Sequence, residues 1–369
     1  MDSFKVVIQL PLTGKEVPGW DERHEDQPTN DNDTLKIRYK LELEALASAP
    51  GSVDLVEAAP GDPGKLINSA HDAHAVLVSW GVFIDSAIID QLKNCIILAV
   101  GSVGTDMVDV EAATEAGIVV TNTPDVFIEE TADHTMMLLL AAGRRMRAID
   151  SLVRNGSWKK GRPILATLPR IWGQTLGIVG FGNIGRAVAR RAKGFGLNII
   201  AHDPYVSELK LTSEGVTPSS MEEVLRQSDY LSLHPPLNNQ TKEMMSTQEF
   251  LMMKKSAVFI NCSRGGVVDE EALIKALATG EIAAAGLDVL KDEPPSINNP
   301  LLQMENVVLS PHAASATTRM RPAGRRRAAQ EVALALQGRW PMSAVNPTVL
   351  PRTSLERWQP FPMDRGPNR

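Results

Sequence analysis

Cysteine is almost absent: 369 residues hold only Cys95 and Cys262. Two isolated thiols build neither a disulfide framework nor a zinc site. Excess positive charge is missing as well. The 38 Lys and Arg against 44 Asp and Glu leave a net charge of −6, without the basic footprint of a nucleic-acid surface. Long apolar runs are also lacking. The longest uncharged apolar stretches, near residues 75–84 and 95–105, fall far short of the ~18 residues of a membrane span. The opening Met1-Asp2-Ser3-Phe4-Lys5 has an acid at its second position and no apolar core, unlike a secretory signal. The expectation is a reduced, cytoplasmic protein with no nucleic-acid or membrane partner. Hydrophobic residues at 43% and charged residues at 22% exclude a disordered or fibrous chain. The length suggests two domains at about 150 residues each.

Short β-branched runs alternate with helical stretches along the chain. Residues 5–10 (KVVIQL), 75–79 (AVLVS), 95–100 (CIILAV) and 117–120 (GIVV) read as buried strands, with helices at 85–92 and 110–116 between them. Continuous apolar strands separated by helices imply a parallel sheet covered on both faces. A second series supplies six strands, at 176–179, 197–201, 230–233, 257–260, 283–289 and 307–309. Helical patterns at 184–193, 220–226, 247–253 and 270–278 connect them, as in a complete doubly wound nucleotide-binding sheet. Long helices at 128–155 and 317–337 flank this series. They suggest a nested plan: residues 1–125 plus 319–369 form one discontinuous domain, and 126–318 form the other. The polar stretch 21–33 reads as a solvated loop. The Pro-rich tail after Trp340 reads as extended, with Trp358 and Phe361 as its anchors.

The segment TLGIVGFGNIGR, residues 175–186, places GxGxxG between a strand and an amphipathic helix. Gly180 permits the tight turn, Gly182 lets backbone approach a pyrophosphate, and Gly185 lets the helix sit close to the strand. The N–H groups of Asn183 and Ile184 then lie at a helix start, where the macrodipole favours an anion. The next strand ends in Asp203, 18 residues after Gly185, near the ~20-residue offset of the acid that binds the adenosine ribose. A carboxylate there repels a 2′-phosphate, so NAD is expected rather than NADP.

Three later strands each end in a chemically loaded loop: NCSRGGVVDE with Arg264, GLDVLKDEPP with Glu293, and LSPHAAS with His312. One cation, one acid and one imidazole thus follow strand ends, where open α/β sheets bind ligands. Their order, with spacings of 29 and 19, and their flanks resemble the D-2-hydroxyacid dehydrogenase family. The likeness runs from about residue 76 to 347, and includes VGSVGTDMVDVEAATEAGIVVTNTP and the final VNP. It implies two doubly wound parallel-sheet α/β domains, a Rossmann NAD-binding domain inserted in a flavodoxin-like substrate domain.

The resemblance also implies a mechanism. Protonated His312 gives a proton to the carbonyl of a 2-oxo acid as hydride arrives from the nicotinamide, and acts as base in the reverse direction. Glu293 orients the imidazole, and Arg264 grips the substrate with its planar fork. The resemblance assigns backbone N–H groups of Val103 and Gly104 to the substrate carboxylate, and Ser79 and Trp80 follow a first-domain strand as further lining residues. Cofactor contacts carry over to Thr131 in EETAD, to His234, Pro235 and Thr241 in LHPPLNNQT, to Cys262 and Ser263, and to Asp288 as acceptor for the carboxamide.

The SVG loop and the SATTRMR segment resemble glyoxylate/hydroxypyruvate reductases, whereas EETAD is more similar to the C-terminal-binding-protein corepressors. The alternatives to a reductase are an NAD(H)-sensing binding module or a phosphoglycerate dehydrogenase. The latter needs added cations, for which Arg319, Arg321 and Arg325 to Arg327 are candidates, although a solvated helix face is the simpler reading. Formate dehydrogenases carry Gln where this chain has Glu293. The resemblance implies a homodimer through the NAD-binding domain, and the apolar helix at 128–145 reads as buried.

Overall fold

In the computed structural model, residues 3–10 and 31–357 are described. The chain divides into two compact units, Met1–Val126 with Thr318–Arg369, and Phe127–Thr317.

The first unit holds a five-stranded parallel sheet. Its strands are β1 (Ser3–Gln9), β2 (Ser52–Ala58), β3 (Ala75–Val78), β4 (Ile97–Val100) and β5 (Val119–Thr121), in the order β2-β1-β3-β4-β5. This is the flavodoxin-like order. Every residue of β3 and β4 is buried, as expected of strands covered on both faces. One face packs on Ala328, Ala329, Val332, Ala333 and Leu336 of the helix Met320–Leu336.

The second unit holds seven parallel strands: β6 (Thr175–Val179), β7 (Asn198–His202), β8 (Thr217–Pro218), β9 (Tyr230–Leu233), β10 (Val258–Asn261), β11 (Ala284–Leu287) and β12 (Val307–Leu309). Their order is β12-β11-β10-β9-β6-β7-β8. The direction of travel reverses at β6, which pairs with both β7 and β9. That switch point is where doubly wound sheets bind dinucleotides. The helix Ile128–Gly143 contributes Ala132, Met136, Leu138, Leu139 and Ala142 to the core beneath the sheet.

Several expectations need correction. Strands β2 and β8 escape the hydrophobic pattern. The helix expected over 128–155 is two helices, Ile128–Gly143 and Met146–Arg154, because Arg145 adopts a left-handed φ of 50°. The tail is not wholly extended: Pro347–Arg352 forms a 3-10 helix, which Pro347 can open because its missing N–H has no partner to serve there. Val349 and Leu355 bury themselves in the first unit's core. Most of the 21–33 stretch, together with Trp358 and Phe361, lies outside the described residues. Asp31 accepts the Thr34 N–H and starts the helix Asn32–Arg38, so the end of that stretch is helical rather than loop.

Candidate active site

The glycine turn is built where the sheet reverses. Gly180 has φ of 88°, and a Cβ there would come within 2.8 Å of the His234 carbonyl carbon and the Pro235 nitrogen. A Cβ on Gly185 would collide with the Gly180 carbonyl oxygen, so helix and turn touch backbone to backbone. Gly182 differs: a Cβ there would meet nothing within 4 Å. It caps the helix Asn183–Gly194 without a side chain, leaving space at the end where the dipole favours an anion. Ile184 packs on the core beneath.

Asp203, just past β7, accepts the Phe181 N–H at 2.7 Å through Oδ2 and the Tyr205 N–H at 2.8 Å through Oδ1. The carboxylate is therefore fixed beside the glycine turn. His234 follows β9, and its Nδ1 is buried with no hydrogen-bond partner. Its Nε2 lies 2.9 Å from the Ser232 hydroxyl. Burial pushes this imidazole down to about 4, so it is neutral at physiological pH. These features fit a bound dinucleotide: a cradle a side chain would fill, an uncapped helix end, and an acid to receive ribose hydroxyls.

Other expected cofactor contacts show local duties. Thr241 donates its hydroxyl to the Pro236 carbonyl at 2.6 Å, closing the loop after His234 and Pro235. Thr131 is buried in the first turns of its helix, and its carbonyl accepts the Thr135 hydroxyl at 2.8 Å. The Ser263 hydroxyl donates to Asn261 Oδ1 at 2.8 Å. Burial pushes the Cys262 thiol up to about 12, which leaves it protonated and unreactive.

The three catalytic candidates follow β10, β11 and β12, which are neighbours. Glu293 accepts from His312 Nδ1 at 2.6 Å, and its other oxygen accepts the Leu290 N–H at 3.2 Å. Both side chains are about one-third exposed, at 34% for His312 and 38% for Glu293. Arg264 is placed through its backbone: Asn261 Nδ2 donates to its carbonyl at 2.9 Å, and its own Nη1 donates to the Ser263 carbonyl at 2.8 Å. A side chain on Gly265 would collide with the Leu290 carbonyl, so the arginine loop abuts the loop that carries Glu293.

Asp288, expected to accept from a carboxamide, has a second set of partners. Its nearly inaccessible carboxylate accepts the Ala313 N–H at 2.8 Å, the Ala314 N–H at 2.8 Å and the Ser310 hydroxyl at 2.6 Å. Its backbone reaches both sides of the site, since its N–H donates to the Asn261 carbonyl at 2.9 Å and its carbonyl accepts the His312 N–H at 2.7 Å. Sequence reasoning missed Asn261, Ser310 and His134. Ser310 and Asn261 did carry a signal, as polar residues closing apolar strands.

In the first unit, the Val103 carbonyl accepts from Asn122 Nδ2 at 2.7 Å, and the Gly104 carbonyl accepts the Ser102 hydroxyl at 2.8 Å. Ser79 donates its hydroxyl to the Gln9 carbonyl at 2.6 Å, which commits its only proton. Trp80 is 46% exposed. Of the arginines weighed as phosphate cations, Arg319 and Arg326 do lie on an exposed face, whereas Arg325 and Arg327 turn to buried acids. Arg325 pairs with buried Glu42, Arg327 with buried Glu331 and with Asp125, and Arg326 with Glu44.

A parallel sheet with a glycine turn at its reversal and an acid at the tip of the next strand defines a dinucleotide-binding domain. Comparison with known proteins sharpens the class. Residues 136–314 match the family described as "D-isomer specific 2-hydroxyacid dehydrogenase, NAD binding domain". A glyoxylate reductase of Korarchaeum cryptofilum is 42% identical over 293 residues, covering 79% of this chain and 88% of that one. A D-3-phosphoglycerate dehydrogenase of Methanocaldococcus jannaschii is 36% identical over 298 residues, covering 80% of this chain and 56% of that one. Among solved structures, a glyoxylate reductase from Paecilomyes thermophila superposes with a TM-score of 0.76 at 29% identity, covering 93% of this chain and 98% of that one. The chain belongs to the D-isomer specific 2-hydroxyacid dehydrogenase family. It is an NAD-dependent oxidoreductase that interconverts 2-oxo acids and D-2-hydroxy acids.

Proposed function

We propose that this enzyme reduces a small 2-oxo acid of the glyoxylate or hydroxypyruvate type, with His312 as general acid. The observation that carries this reading is the 2.6 Å contact between His312 Nδ1 and Glu293. With Nδ1 committed to the carboxylate, Nε2 is the atom that exchanges a proton with substrate. Bound NADH supplies the hydride that the carbonyl carbon receives. His312 gives its Nε2 proton to the carbonyl oxygen, completing the hydroxyl, and takes that proton back in the oxidative direction. Arg264 holds the carboxylate and carbonyl oxygens with its planar donors. Val103 and Gly104 supply N–H groups to the same carboxylate, and Trp80 adds an apolar wall.

For the cofactor, Gly180, Gly182, Asn183, Ile184 and Gly185 receive the pyrophosphate and Asp203 the ribose. Thr131, His234, Pro235, Thr241, Cys262 and Ser263 shape the nicotinamide side. Asp288 Oδ2 accepts one bond from the protein and keeps acceptor capacity for a carboxamide N–H.

Small-acid specificity is supported by relatives named glyoxylate reductase that are 40–42% identical. Arg325 and Arg327, each paired with a buried acid, are not free to hold a substrate phosphate. We assign the enzyme to the cytoplasm, on its two free buried thiols; among the described residues no helix is long and apolar enough to cross a membrane. We also assign a homodimer through the NAD-binding unit. No residue of the helix Met146–Arg154 is buried, and Met146, Val153, Trp158, Leu165 and Trp172 are about half exposed or more, an apolar surface that a second copy would cover.

The test is NADH oxidation with glyoxylate, hydroxypyruvate, pyruvate, phosphohydroxypyruvate and a bulkier 2-oxo acid. Highest kcat/KM on glyoxylate or hydroxypyruvate is the expected outcome. Preference for the phosphorylated acid would overturn the substrate assignment, and no turnover on any acid would overturn the catalytic one. A monomeric mass by light scattering would remove the dimer.

A further inference from the structure

His312 sits in an unfavourable backbone conformation, with φ of 51° in a residue that has a Cβ. Such a turn persists only where its surroundings over-determine it. The restraint is Asp288. Its carbonyl accepts the His312 N–H, and its carboxylate accepts the next two N–H groups, those of Ala313 and Ala314. A carboxylate only 1% exposed needs those bonds and others to stay charged in place.

The remaining partners are Ser310, at the start of the same loop, and His134, from outside it. The Ser310 hydroxyl donates to Asp288 Oδ1 at 2.6 Å. Having spent its single proton, Ser310 accepts from His134 Nε2 at 2.7 Å. His134 Nε2 therefore carries a proton, and it also lies 3.3 Å from Asp288 Oδ1. His134 projects from the helix Ile128–Gly143, whose flanking residues Ala132, Met136, Leu138 and Leu139 are locked in the core. The imidazole thus ties the catalytic turn to a helix packed into the core of its unit.

We infer that His134 is a positioning residue for the reaction: through Ser310 it completes the set of hydrogen bonds that holds Asp288, and so fixes the turn that aims His312. The inference rests on the role proposed above for His312. His134 touches neither substrate nor the reacting atoms. Its contribution is to keep His312 within the narrow range of geometry that proton transfer tolerates.

The test compares His134→Leu, which removes the donor, with His134→Gln, whose amide nitrogen reaches the Nε2 position and still donates. His134→Leu should lower kcat about tenfold, the size of effect expected when a reacting group is misplaced by a fraction of an ångström. The dissociation constant for NADH should change much less than kcat, because the glycine turn and Asp203 are untouched. His134→Gln should restore most of kcat. Amide hydrogen exchange supplies a readout that needs no turnover: the Ala313 and Ala314 N–H groups should exchange faster in His134→Leu and at the original rate in His134→Gln. Should His134→Leu fold poorly, Ser310→Ala breaks the same link from the other side and should give the same kcat loss and the same faster exchange.

A kcat unchanged in His134→Leu, unchanged exchange at Ala313 and Ala314, or a Gln variant as impaired as the Leu variant would each overturn the inference. If the unsubstituted enzyme reduced no 2-oxo acid, the functional reading would fall, and the exchange measurement would still decide whether His134 holds the turn.

Discussion

The buried His234 makes the stability of the NAD-binding unit depend on pH in a way that can be worked out. Its imidazole titrates at about 4 in the folded protein, against 6.5 for an ordinary histidine, because burial disfavours the cation. Above the ordinary value both folded and unfolded chains are neutral here, and nothing is lost. Between the two values the unfolded chain binds a proton that the folded chain refuses, so stability falls as pH falls. Below about 4 both forms are charged and the loss is complete. Carrying those two values through the linkage relation from pH 7 to pH 5 gives a loss of about 2 kcal/mol. His234→Gln removes the titration and keeps a polar group beside the Ser232 hydroxyl. The assay is native-state hydrogen exchange of the slowest amides of β6 and β9, read at pH 7 and pH 5 for both proteins. This localises the measurement to one unit and does not require the whole chain to unfold in one step. The unsubstituted protein should lose about 2 kcal/mol more than the variant between those pH values. Parallel losses in the two proteins would refute the reasoning, since His234 would then take up its proton without unfolding.

Three further outcomes are expected. His312→Gln should cost about 10²- to 10⁴-fold in kcat, the usual worth of a general acid, while NADH affinity measured by fluorescence titration stays close to that of the unsubstituted protein. Asp203→Ser should lower the ratio of kcat/KM for NADH over NADPH by about tenfold or more, because a carboxylate facing a 2′-phosphate costs several kcal/mol; an unchanged ratio would remove Asp203 from cofactor choice. Gly265→Ala should destabilise the protein by about 1–3 kcal/mol in urea unfolding through overpacking against the Leu290 carbonyl, and should also lower kcat, because the loops of Arg264 and Glu293 meet at that point.

The parts of the fold legible in the sequence were those governed by local pattern. Strands β3 and β4 are unbroken apolar runs, buried on both faces, and they announce themselves. Strand β2 did not, because SVDLVEA carries Asp54 and Glu57 among its apolar residues. Inside, Glu57 is met by Arg38 and the Tyr39 hydroxyl, at the end of a helix some 18 residues earlier in the chain. The break after Gly143 was hidden for a related reason: Arg145 takes a left-handed φ that its residue type does not advertise.

The site divides along the same line. Gly180, Gly182, Gly185, Arg264, Glu293 and His312 follow strands at telling intervals, so order and spacing expose them. His134 reads as one more polar residue in the polar first half of its helix, and its partners Ser310 and Asp288 are more than 150 residues away in the chain. Pairings of that reach are set by packing and leave no periodic trace. Likewise Arg325 and Arg327 read as a solvated basic run until Glu42 and Glu331 are seen to take them up.

The interleaved division of the chain has a consequence for synthesis. The first unit's sheet is shielded by the helix Met320–Leu336 and by Val349 and Leu355, and Asn346 donates to the Ile118 carbonyl at its edge. Its first 126 residues therefore leave the ribosome with one side of their core unfinished. The NAD-binding unit, contiguous from Phe127 to Thr317, is complete before that missing cover is translated. The NAD-binding unit can thus fold first, while the earlier segment waits, apolar face exposed, for the helix Met320–Leu336 and the residues around Val349 to arrive.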